Sequence, residues 1–117
     1  MSEASEELAG RIRGLIGHRP GVTEKKMFGG RSFLLFGNML CAAMRNGNLL
    51  ARVGADSAAE AGARPGAEPM IHAGRHMTGF VEVSDGIGHD DELADWLDVI
   101  WTFVSTLPPK ADGPSVR

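Results

Sequence analysis

Between positions 5 and 18, apolar residues recur at helical spacing. Leu8, Ile12, Leu15 and Ile16 fall at i, i+4, i+7 and i+8 and make a single stripe. The spacing predicts an amphipathic helix over 5–18. Ser5 is its expected N-cap, Glu6 and Glu7 face the positive end of the dipole, and His18, Pro20 and Gly21 form the stop. Gly10, Gly14 and Gly17 each weaken such a helix by about 1 kcal/mol relative to alanine, so packing has to hold it. The pattern then changes. Phe33–Phe36 and Met39–Met44 are apolar runs on either side of Gly37-Asn38, and Asn46-Gly47 separates the second run from Asn48–Val53. Glycine first in a two-residue turn and Asn-Gly as a type I′ pair predict two consecutive hairpins. A three-stranded meander buries a face only when something covers it.

Residues 54–79 are rich in Ala, Gly and Pro. Asp56 is the expected cap of a short helix through Ser57–Ala61 ended by Gly62, and Pro65 and Pro69 make the remainder, 62–79, read as a loop. Phe80-Val81-Glu82-Val83 alternates as a strand, with Met77 near its start. Asp90, Asp91 and Glu92 then open a final helix whose stripe is Leu93, Trp96, Leu97, Ile100, Trp101 and Val104. Pro108-Pro109 ends it. The fold class that follows is α+β: an antiparallel sheet, made of a meander of consecutive hairpins plus a later strand, packed against N-terminal and C-terminal helices. Residues 1–110 form the expected single domain, and 111–117 a flexible tail.

A chain of 117 residues suits one core without disulfides or metal. The single Cys41, the acidic start Met1-Ser2-Glu3-Ala4 and the lack of a long apolar run point to a cytoplasmic protein with no membrane segment. Net charge is −3, which argues against nucleic acid as the main partner. The charge is unevenly spread. Residues 1–52 carry eight basic side chains, including Lys25 and Lys26, against four acidic ones, while residues 53–117 carry four basic against eleven acidic. A mixed solvated surface is the simplest reading of that division, and attraction between halves or subunits the alternative.

No assembled catalytic, cofactor or metal motif stands out. His72 and His76, four apart, could face one way in an extended segment, but a metal would need a third ligand from Cys41, Glu82, His89 or Asp90. Cys41 lies between apolar neighbours and reads as a buried, inert thiol. The run Asp90-Asp91-Glu92 reads as dipole complement rather than acid catalyst. Gly29-Gly30 reads as a site of positive φ or close backbone approach, with Met27 and Phe28 filling core space, since phosphate-binding glycine spacing is absent. Arg75, beside Gly74, has two readings: a surface salt bridge, or bidentate recognition of a carboxylate or other anion.

Lys25-Lys26-Met27-Phe28-Gly29-Gly30, Phe33, Gly37-Asn38-Met39, Asn46-Gly47-Asn48-Leu49-Leu50 and Gly74-Arg75-His76-Met77-Thr78-Gly79-Phe80-Val81 together resemble the N-terminal domain of the TfoX/Sxy family. The likeness spans roughly residues 8–107, with His76 where proline is common. The resemblance implies an α+β, self-associating module, hence a homodimer. It also implies a regulatory role, since members of the family regulate competence together with a transcription activator. The second domain of the full-length regulators has no counterpart in this sequence, and no catalytic motif carries over. The leading expectation is therefore a non-enzymatic regulatory or protein-interaction domain with a protein partner in transcription. The alternative is a small-molecule binder or cryptic enzyme in which Arg75, His72 and His76 line a pocket at 62–79. Direct DNA binding through Lys25, Lys26, Arg31, Arg11 and Arg13 ranks third.

Overall fold

A computed structural model describes residues 2–27 and 29–110. Phe28 and the tail expected at 111–117 lie outside the described residues. The chain runs α1 (Glu3–Ile16), β1 (Val22–Met27), β2 (Gly30–Leu35), β3 (Asn38–Ala43), β4 (Leu49–Arg52), α2 (Ala58–Gly62), β5 (Ala67–His72), β6 (Arg75–Val83) and α3 (Asp90–Val104). Its six strands form one antiparallel sheet in the order β1-β2-β3-β4-β6-β5, and the fold is α+β.

All three helices contribute to one core against one face of the sheet. Phe33, Leu35, Cys41, Ala43, Leu49, Ala51, Val81 and Val83 alternate onto that face and meet Leu8, Ile12 and Ile16 of α1. From α3 come Leu93, Trp96, Leu97, Ile100 and Val104. Fully burying an aliphatic or aromatic side chain of this kind contributes roughly 1.5–3 kcal/mol, and this layer holds the glycine-weakened α1 in place. A bulge in β3 pairs Phe33 with Cys41 but Leu34 with Met39, and the extra residue, Leu40, also enters the helix-side core.

Several boundaries differ from the sequence reading, each for a local reason. Helix α1 starts earlier: Ser2 is the N-cap, and Ser5, expected in that role, is the buried third helical residue that closes a reciprocal capping box with it. The β2–β3 turn is Phe36-Gly37, both at positive φ, with Asn38 already in β3. Arg45-Asn46-Gly47 is a three-residue loop with only Gly47 at positive φ, so no type I′ pair forms there. The short helix α2 begins after Ser57, not after Asp56.

The largest correction falls at 62–79. That stretch is a hairpin, β5 and a β6 longer than its Phe80–Val83 core, joined through Ala73-Gly74 at positive φ. Strand β1 also escaped the hydrophobic pattern. Both new strands are the sheet's edges.

Candidate functional site

The face of the sheet turned away from the helices is apolar as well. Ala42, Leu50 and Met70 are buried there, and Met39, Met44, Met77 and Phe80 pack around them. A cleft of about 540 Å3 opens on this face. Its walls carry Met27 from the edge strand β1, Met44 beyond β3, and Met70 and Met77 from the β5–β6 hairpin. Opposite ends of the strand order thus meet around one hollow. Two larger hollows, each of about 660 Å3, are more open to solvent. One lies along the first turns of α1, the other beside Phe103 of α3.

Among the described residues, three polar ones line the cleft wall: Arg45, Asn46 and His72. Arg45 is held from two sides. The Ser2 hydroxyl at the cap of α1 donates to the Arg45 carbonyl at 2.5 Å. Gly29, at φ 76°, leaves room for the Arg45 stem, whose Cδ would lie 3.2 Å from any Cβ there. Its guanidinium is exposed and meets no carboxylate among the described residues. The Asn46 side chain is fully oriented: its carbonyl accepts from the Asn48 N–H at 2.9 Å and its amide donates to Glu82 at 3.3 Å. Asn48 donates to the same Glu82 carboxylate at 2.6 Å.

The glycine pair therefore has a defined task. Gly29 supplies positive φ beside Arg45, and a Cβ on Gly30 would collide with the Ala43 carbonyl of β3. Met27 lies on the cleft wall rather than in the helix-side core.

The residues singled out at 62–79 separate. His72 lines the cleft, whereas Arg75 and His76 are exposed and do not. In the ladder His72 lies opposite Arg75, and Ile71 opposite His76. Cross-strand partners share a face and neighbours along a strand alternate, so His72 shares its ribbon face with Arg75 and not with His76. The two histidines belong to different strands, and among the described residues no group of three His, Cys, Asp or Glu side chains is placed to hold a metal. Of the two readings of Arg75, no salt bridge of it is seen among the described residues.

Lys25 and Lys26 lie exposed on edge strand β1. The arginines grouped with them are engaged elsewhere. Arg11 bonds Asp90 at 3.0 Å and the Ile87 carbonyl at 2.7 Å, Arg13 bonds Glu24, and Arg31 lies 3.6 Å from Glu6 and 3.7 Å from Glu24. Cys41 is fully buried under the helices, and desolvation pushes its thiol up to about 12. Asp90, Asp91 and Glu92 occupy the first turn of α3, where the Glu92 carboxylate accepts from the His89 N–H at 3.1 Å. Trp96 is buried and Trp101 half-buried, with Arg64 and Arg19 stacked over their rings at 4.8 and 4.5 Å. No helix among the described residues is long and apolar enough to cross a membrane.

The family model of the TfoX N-terminal domain matches residues 15–103, so the chain belongs to that family. The match lies inside the span read from the motifs and includes the whole sheet, while most of α1 falls outside it. No curated protein matches the chain, and no solved structure does.

Proposed function

We propose that this chain is a non-enzymatic regulatory module that works by association, first with a second copy of itself and through it with a protein partner in transcription. The observation that carries the reading is the methionine-rich sheet face that no helix among the described residues covers. Methionine side chains are flexible and polarizable, and they recur on surfaces that adapt to partners. Association through the sheet edges is less available. Strand β1 presents Lys25 and Lys26, and β5 carries the exposed Pro69 where its register with β6 shifts; charge and proline are usual devices against edge pairing. The face is then the surface left for a partner, and family membership favours a regulatory role. The pairing of Arg11, Arg13 and Arg31 with carboxylates weighs against direct DNA binding.

Light scattering across a concentration series tests the reading. The expected result is a dimer that Met44→Glu, which places a charge on the open face, converts to monomer. A chain that stays monomeric up to millimolar concentration overturns it. A second reading, a small-molecule binder, is favoured by the concave, apolar cleft and its few polar groups.

A further inference from the structure

We infer that the cleft on the open face binds a small apolar carboxylic acid, with its hydrocarbon body against the methionines and its carboxylate at Arg45. The inference deepens the small-molecule reading above by naming a ligand class for that same face.

The volume, about 540 Å3, falls within the range of small-molecule sites, roughly 300–1,000 Å3. Four thioether side chains, Met27, Met44, Met70 and Met77, form the walls over an apolar floor of Ala42 and Leu50. Unbranched, rotatable walls of this kind mould to a flexible chain rather than to one rigid outline. That describes the body of the ligand. Its head follows from charge. No carboxylate lines the cleft among the described residues, while the Arg45 guanidinium stands on the wall with no acidic partner. Arg75 adds positive charge on the ribbon face that His72 occupies. The Glu82 carboxylate, which bonds the wall residue Asn46, is taken up by the Asn46 and Asn48 amides.

A guanidinium fork pairs with a carboxylate through two parallel N–H···O bonds. An uncharged apolar molecule would gain nothing from it, and a cationic one would be repelled. Arg45 is also placed rather than merely present, because the Ser2 hydroxyl fixes its backbone and Gly29 accommodates its stem. A carboxylate is the head group that matches the Arg45 fork.

The test is a titration of the intact chain, labelled with 13C at the methionine methyls, followed by NMR. Three probes share one chain length: decanoate, decanol and decyltrimethylammonium. Decanoate is expected to move the methyl signals of Met27, Met44, Met70 and Met77. Decanol should bind about tenfold more weakly and the trimethylammonium compound not measurably. Arg45→Gln should erase the preference for decanoate over decanol while leaving the ligand-free spectrum intact, and Met77→Gln should weaken both probes. Absence of shifts, equal response to decanoate and decanol, or an unchanged preference in Arg45→Gln would each overturn the proposal. Light scattering on the same samples separates the two readings. A monomer that binds decanoate defeats the association reading alone, and a dimer that ignores decanoate defeats this one alone.

Discussion

Arg13 of α1 holds Glu24 of β1 through two hydrogen bonds, Nε to Oε2 at 2.6 Å and Nη2 to Oε1 at 2.8 Å. This bidentate pair ties the glycine-weakened helix to the edge strand, and the Arg31 Nε 3.7 Å from Glu24 adds positive charge beside it. The Arg13 hydrogen bond, outweighing desolvation, holds the Glu24 carboxyl below its ordinary range, and the same bond raises Arg13 above its own.

A pH dependence follows from Glu24. A carboxylate whose folded pKa is depressed contributes stability that is fully present above its unfolded value and is lost as pH falls through the folded one. Stability should therefore decline below about pH 4.5, and Glu24→Gln should flatten that decline. Arg13 contributes the mirror case, lost only in strong alkali. Because half of Arg13 is exposed, the coupling in a double-mutant cycle should be no more than about 1 kcal/mol at neutral pH. Urea melts at pH 7 and pH 3 of the single and double alanine variants give the number. Equal stability loss at both pH values would contradict the assignment.

Two glycine classes should respond in opposite directions. Gly10 and Gly14 are exposed on α1 with nothing near the place of a Cβ, so alanine at each should stabilise by about 0.5–1 kcal/mol. Gly30 is the opposite case, since a Cβ there would overlap the Ala43 carbonyl and push β2 from β3. Gly30→Ala should destabilise by at least about 2 kcal/mol. Thermal melts of the three variants decide the matter, and a neutral Gly30→Ala would remove the packing account of the glycine pair.

Cys41 should be silent in the native state. Full burial and a thiol pushed up to about 12 leave almost no accessible thiolate at pH 8. A chromogenic disulfide reagent should react only as the chain unfolds, at a rate that follows denaturant concentration. Prompt labelling of the folded protein would show that the helix layer opens locally.

Legibility from sequence divides along physical lines. The stripes of α1 and α3 were readable because each helix buries one side, so Leu8, Ile12, Leu93 and Ile100 recur with the helical period. Strands β2 and β3 were readable because both of their faces are apolar. Edge strand β1, Val-Thr-Glu-Lys-Lys-Met, showed no alternation, since much of it meets solvent. Strand β5 carries Pro69, which signals a loop in isolation yet is tolerated on an edge where no partner needs its missing N–H. The cleft was less visible still. Met27, Met44, Met70 and Met77 are far apart in the chain and meet only through strand order and register. One signal was present: every methionine after Met1 lies outside the two long helices, where a core-filling role would have placed some.

Lys25 and Lys26 offer the last test, because their two readings predict different outcomes. On an edge strand, charged side chains keep unpaired backbone groups from recruiting another chain. Replacing the pair with Val and Thr raises strand propensity and removes the charge, so light scattering should show species larger than those of the unmodified chain, growing with concentration. Lys26→Glu keeps a charge on the edge and should leave size unchanged. Were the lysines instead a phosphate-contacting patch, Lys26→Glu would abolish a salt-sensitive affinity for duplex DNA while the Val/Thr pair would not enlarge the particle. Fluorescence anisotropy with a labelled duplex at low salt supplies the second measurement. The expected result is no duplex binding in either form, together with growth of the Val/Thr variant alone.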